Sequence, residues 1–214
     1  MGTTRRSALI FTGGTRDDAD APALPAADLV IAADSGIIFA ADAGWAVDIV
    51  VGDLDSAPPD AVTRAEAGGA RIERHPAAKD HTDLELALMT ARTEGITDVT
   101  VAGGVGGRLD HLLANILLLG SPEWAGMSVD ALIGGARVSV VGAERPGSIA
   151  GDEGGLVSLL AVGGPAEDVR TEGLLYPLHD ETLHPGSTRG VSNVLTGARA
   201  TVAVGAGTVL VVQP

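Results

Sequence analysis

Asp48-Ile49-Val50-Val51-Gly52-Asp53-Leu54-Asp55-Ser56 is the stretch on which the reading of this chain turns. A short apolar strand ends at a glycine and delivers two carboxylates two positions apart. In extended chain that spacing puts both side chains on one side, where they can share a cation. The same residues also suit a plain turn and helix cap before Pro58-Pro59. Their position at the end of a strand, with further acids downstream, favours the cation.

Working outward, apolar runs and helical patterns alternate. Strands are expected at Ala8–Thr12, Leu29–Ala33, Ile49–Val51, Ala70–Glu73, Val99–Ala102 and Val129–Ile133. Helices are expected at Ser35–Ala43, Pro59–Ala67, Asp83–Glu94 and His111–Leu119. That order predicts an α/β domain over residues 1–134, Rossmann-like, with a mostly parallel sheet. Such sheets bind ligands beyond the carboxyl ends of their strands, where Asp34, Asp53, Asp55 and the cluster Gly103–Gly107 fall. After Gly134 the pattern changes. Val138–Val141, Gly155–Val162, Arg170–Leu175, Gly190–Leu195, Ala198–Val204 and Thr208–Val212 read as short strands separated by glycine-rich turns. Residues 135–214 are therefore expected to form an all-β sandwich.

Composition narrows the function. The 214 residues are 45% apolar but only 2% aromatic, so the core is built from Ala, Val, Leu and Ile. Without cysteine there is no disulfide, thiolate metal site or cysteine nucleophile. A net charge of −14 argues against nucleic-acid or anionic-membrane partners, which demand a basic face. A polyphosphate substrate would have to be met by metal ions and local donors. Lys79, the only lysine, lies within the acidic segment Lys79-Asp80-His81-Thr82-Asp83. Arg5-Arg6 is followed by an apolar run too short for a signal sequence, and no run suffices for a membrane span; a cytoplasmic address is expected.

Three further patterns carry chemistry. Thr82 and Glu85 form a capping box, which leaves Asp83 in the first turn of a helix whose N-terminus favours phosphate. Gly103-Gly104-Val105-Gly106-Gly107 lies between a strand and a helix, the setting of a phosphate-cradling loop, yet fits neither the P-loop nor the dinucleotide fingerprint. With Asp110 as N-cap, the next helix is almost wholly apolar except for His111 and Asn115, spaced i and i+4. Those two either line a cleft or hydrogen-bond each other in the core. No nucleophile elbow or zinc cluster occurs, and the oxygen-rich donors suit Mg²⁺.

Together these motifs resemble thiamine pyrophosphokinase. The matching segments are Gly52-Asp53-Leu54-Asp55-Ser56, Lys79-Asp80-His81-Thr82-Asp83 and Gly103 through His111 with Asn115. In the second half, Thr171-Glu172-Gly173-Leu174-Leu175-Tyr176-Pro177-Leu178 and Gly190-Val191-Ser192-Asn193 also match. The resemblance implies a homodimer with sites at the subunit interface, moving a pyrophosphoryl group from ATP to thiamine. It implies that Asp53, Asp55 and Asp83 hold Mg²⁺ and that Asp110 supports the same region. Lys79 and Arg108 would meet the phosphates. Asp34, Gly103, Gly104, Gly106, Gly107, His111 and Asn115 would lie on the ATP side, and Tyr176, Ser192 and Asn193 in the thiamine pocket. Three positions depart from the family's habits: Ser35 where glycine is commoner, Tyr176 where eukaryotic members often carry Trp, and Val194 where an acid is common. Another acceptor, such as a hydroxymethylpterin, would keep the chemistry, whereas a non-catalytic sensor would be expected to have lost the metal acids.

Overall fold

The computed structural model describes residues 5–14, 23–105 and 107–214. It is mostly sheet, with four α-helices among the described residues. The chain divides into two compact units, Met1–Asn115 with Ala131–Gly135, and Ile116–Asp130 with Ala136–Pro214.

In the first unit the order is β1 (Ser7–Phe11), β2 (Leu29–Ala33), α1 (Gly36–Asp42), β3 (Ile49–Gly52), α2 (Pro59–Ala67), β4 (Arg71–Arg74), α3 (Asp83–Thr93) and β5 (Asp98–Gly103). The strands lie side by side as β4-β3-β2-β1-β5, and every pairing among them is parallel. Strands covered on both faces must be continuously apolar, which explains Leu9-Ile10-Phe11 and Val50-Val51, all buried. Edge strand β4 instead carries Arg71, Glu73 and Arg74, charges that blunt an open edge. Helix α2 begins at Pro59, whose fixed φ and missing N–H suit the first turn. Phe11 packs edge-on against Phe39 with ring centroids 5.2 Å apart.

Helix α4 (Leu109–Leu119) and β6 (Ser128–Ile133) follow. The expectation that Asp110 caps α4 is corrected: the helix starts at Leu109, two residues before the expected His111, and Asp110 lies in its first turn. Nor is this helix a core element. Leu119 is buried, but Leu109, Leu113 and Leu117 are 67%, 53% and 59% exposed.

The second unit contains β7 (Ala136–Gly142), β8 (Gly147–Ala150), β9 (Leu156–Glu172), β10 (Glu181–Leu183), β11 (Asn193–Val194), β12 (Arg199–Ala203) and β13 (Ala206–Gln213). Their order is β7-β13-β9-β12-β8, with β10 and β11 also on β9, all antiparallel. The two strands expected at Gly155–Val162 and Arg170–Leu175 are one, β9. Gly163-Gly164-Pro165 does not end it but forms an irregularity: Thr208 pairs with Val162, yet Ala206 pairs with Glu167. Leu159, Leu178, Leu183, Leu195 and Val209 build this unit's core.

Candidate active site

Parallel neighbours β2 and β3 end side by side, and each is followed by an acid. Asp34 donates its backbone N–H to the carbonyl of Val51 at 2.9 Å, which pins it beside the end of β3. Asp53 follows Gly52, and Asp83 opens α3. The cap expected of Thr82 is present, its hydroxyl accepting the N–H of Glu85 at 3.2 Å. These three segments bring Asp34, Asp53 and Asp83 together, one ligand oxygen from each lying within 4.8 Å of the others. Gly52 makes room for them. At φ +143° it adopts a conformation other residues avoid, and a Cβ there would meet Asp83 Oδ1 at 2.9 Å.

Asp55 stands outside this trio. The extended chain expected to align it with Asp53 does not form, because Leu54 adopts φ +62°. The left-handed residue turns the chain, so that Asp55 donates its N–H back to Asp53 Oδ1 at 3.2 Å and its exposed carboxylate accepts from Ser56. Asp34 is the member that the sequence reading set on the nucleotide side instead. Its signal was an acid directly after an apolar strand, the same signal that marked Asp53.

The trio's electrostatics are unbalanced. Asp34 is 8% exposed, and its Oδ1 has no hydrogen-bond partner among the described residues. Burial pushes its carboxyl above the usual range, against the Ser35 N–H and with the help of repulsion from Asp83, Asp55 and Asp53. Asp53 is held low, by the Asp55 N–H foremost and then, against some burial, by Lys79. Lys79 Nζ lies 2.6 Å from Asp83 Oδ1 and 3.5 Å from Asp53 Oδ2. Burial lowers the pKa of Lys79, but these two carboxylates overrule it and hold the ammonium above its ordinary value.

Across the sheet's end, Gly104 donates its N–H to Gly13 O at 3.4 Å, so the start of the glycine loop lies against the end of β1. Gly103 also belongs to this edge, Gly107 is left-handed, and Gly106 lies outside the described residues. Arg108 forks onto Asp110 with bonds of 3.1 and 2.6 Å, holding that carboxyl down to about 2. His111 is exposed, Asn115 is half-buried, and no hydrogen bond joins them among the described residues. A hydrogen-bonded core pair is thereby ruled out.

In the second unit a cleft of about 430 Å³ is lined by Tyr176, Asn193 and the run Ser187–Val191. Asn193 is 1% exposed, and its amide is engaged with backbone: Oδ1 accepts from the N–H of Tyr176 and of Val194, and Nδ2 donates to the Tyr176 carbonyl. Tyr176 is thus presented to solvent, 55% exposed, by a buried clamp. Ser192 neighbours the cleft without lining it. Arg189, which the sequence reading did not single out, lines the cleft and forks onto Glu181 at 2.8 and 2.7 Å.

Two family models match separate stretches of the chain. The family model described as "Thiamin pyrophosphokinase, catalytic domain" matches residues 22–129, and "Thiamin pyrophosphokinase, vitamin B1 binding domain" matches residues 147–209. A thiamine pyrophosphokinase of Bacillus subtilis is 28% identical over 188 residues, 86% of either chain. A second, from Oryza sativa subsp. japonica, is 26% identical over 166 residues, 72% of this chain and 61% of that one. The crystal structure of thiamine pyrophosphokinase from Bacillus subtilis superposes with a TM-score of 0.80 at 25% identity, covering 97% of this chain and 98% of that one. The thiamin pyrophosphokinase of Candida albicans shares the fold, with a TM-score of 0.74 at 15% identity.

Proposed function

The chain belongs to the thiamin pyrophosphokinase family, and on that premise we propose that it transfers a pyrophosphoryl group from ATP to thiamine, giving thiamine diphosphate and AMP. The observation that carries the reading is the convergence of Asp34, Asp53 and Asp83 at the carboxyl ends of β2 and β3. Acids so close, one of them buried with an unpartnered oxygen, fit a hard divalent cation such as Mg²⁺. Asp34, Asp53 and Asp83 would hold it, with Asp55 beside them. Bound there, Mg²⁺ would neutralise the triphosphate oxygens.

The chain's own residues do the rest. The thiamine hydroxyl oxygen attacks the β-phosphorus, the bond from that phosphorus to the α,β-bridging oxygen breaks, and AMP departs. The hydroxyl proton passes to a carboxylate of the site. Such a transfer needs alignment and charge neutralisation more than covalent help. Arg108 and Lys79 supply positive charge at the phosphates, the glycine loop from Gly103 to Gly107 gives them backbone room, and Asp110 orients Arg108. His111 and Asn115, a turn apart on α4, face the nucleotide. Tyr176 gives the cationic thiazolium an aromatic face, held in place by Asn193, with Ser192 alongside.

We assign residues 1–134 to the α/β catalytic domain and residues 135–214 to a thiamine-binding β-sandwich, in line with the two matched regions. The working unit is a homodimer in the cytoplasm, with sites at the subunit interface. Mixing the protein with ATP, Mg²⁺ and thiamine tests the reaction. Thiamine diphosphate and equimolar AMP are expected; ADP with thiamine monophosphate would overturn the choice of phosphorus.

A further inference from the structure

We propose that Lys79 is the resident counter-cation of Asp53 and Asp83, and that a divalent cation gains these carboxylates only by displacing its ammonium toward the phosphates. The proposal rests on the metal reading above and concerns what this chain's own lysine does about it.

The ammonium already occupies the attention of the acids concerned. Its Nζ makes a 2.6 Å hydrogen bond to Asp83 Oδ1 and stands 3.5 Å from Asp53 Oδ2, on a side chain only 14% exposed. Those carboxylates are two of the three that converge within 4.8 Å. The third is not paired with it: Asp34 Oδ1 is buried and has no hydrogen-bond partner among the described residues. Three carboxylates against one ammonium leave two negative charges uncompensated. Lys79 is therefore an incomplete occupant, and a cation reaching all three acids would outcompete it.

Lys79 is also suited to leave. It precedes α3 in a segment without regular structure, on a flexible four-carbon stem. A lone ammonium forced off two carboxylates in a partly buried site needs new acceptors, and phosphate oxygens are the acceptors ATP brings. Cation binding and phosphate binding are then coupled: each makes the other more favourable, by the same factor. A lysine that served only as a fixed pair for Asp83, one helical turn away in sequence, would show no such coupling.

The test exploits a feature of composition, that Lys79 is the only lysine in the chain. Protein labelled with ¹³C,¹⁵N-lysine gives one set of side-chain resonances. Titrating Mg²⁺ without nucleotide is expected to shift the Lys79 Cε and Nζ signals. In parallel, Mn²⁺ binding is followed by electron paramagnetic resonance for the wild type and Lys79→Met. If the ammonium frees the carboxylates about a tenth of the time, Lys79→Met binds Mn²⁺ about tenfold tighter, because that occupancy no longer reduces the apparent affinity. Lysine signals unmoved while Mn²⁺ binds overturn the proposal and leave the metal reading intact. So does equal or weaker Mn²⁺ binding by a folded Lys79→Met. No Mn²⁺ binding by the wild type, even with a non-hydrolysable ATP analogue, overturns both. Should Lys79→Met fail to fold, the wild-type lysine spectrum alone decides.

Discussion

Asn193 grips the backbone of Tyr176 from both sides, its Oδ1 accepting the tyrosine N–H at 3.0 Å and its Nδ2 donating to the tyrosine carbonyl at 2.7 Å. Only an amide carries both a donor and an acceptor in this arrangement. Asn193→Ala removes the partner of both Tyr176 backbone groups and of the Val194 N–H, a loss of about 2–3 kcal/mol. Its melting temperature should fall, and the thiamine KM should rise more than the ATP KM. Tyr176→Ala, at an exposed side chain, should raise the thiamine KM with little change in melting temperature. If Asn193→Ala leaves the thiamine KM unaltered, the clamp has no bearing on the cleft.

Asp34 sets a stability cost against function. Burial, then repulsion from Asp83, Asp55 and Asp53, disfavours its charged form in the folded protein. The folded state thus holds this proton more tightly than the unfolded state, and stability falls as pH rises through the interval between the two pKa values. Asp34→Asn removes the penalty. In EDTA at neutral pH it should melt roughly 2–4 °C higher than the wild type. That advantage should fade as pH falls below the ordinary carboxylate range, where Asp34 is protonated in both states. Added Mg²⁺ should stabilise the wild type preferentially, and Asp34→Asn should lose most turnover. An Asp34→Asn protein that melts lower in EDTA at neutral pH would mark Asp34 as a structural support instead.

What the sequence made legible was set by local signals. β2 and α2 fall on the expected residues, Leu29–Ala33 and Pro59–Ala67, because an unbroken apolar run and a proline at the first helical position are strong punctuation. Gly163-Gly164-Pro165 misled, since a turn and an irregularity inside a long strand use the same residues. β8 and β10 were missed, being four and three residues long with too little alternation to register. Asp53 and Asp83 were visible as site acids from their strand end and helix cap. That Asp34 joins them depends on β2 and β3 being neighbours, and that Asp55 is not aligned with Asp53 along an extended chain depends on one left-handed residue, Leu54. Neither fact is local.

The Arg108–Asp110 fork is exposed, so its worth lies in placement rather than stability. Arg108→Ala should leave the melting temperature unchanged while raising the ATP KM about tenfold, the loss of one charge-assisted phosphate contact. The Asp110 carboxyl, now near 2, should return upward toward the ordinary range when followed by carbonyl NMR. An unchanged ATP KM would detach Arg108 from the phosphates. An unchanged Asp110 titration would show that the fork does not persist in solution.

Helix α4 is the place where leucine-rich sequence and burial part company. Leu109, Leu113 and Leu117 recur every four residues and so share one side of the helix, each more than half exposed. An apolar strip of this kind marks a surface that another molecule covers, and a second copy of the chain is the occupant that the proposed homodimer supplies. Leu113→Glu is expected to convert a sedimenting dimer into a monomer, because a carboxylate in a dry interface leaves an unpaired charge. Far-ultraviolet circular dichroism should be unchanged, since Leu113 is solvent-facing in the single chain. A Leu113→Glu protein that remains dimeric would assign the interface to another surface, and a monomeric wild type would remove the homodimer from the proposed function.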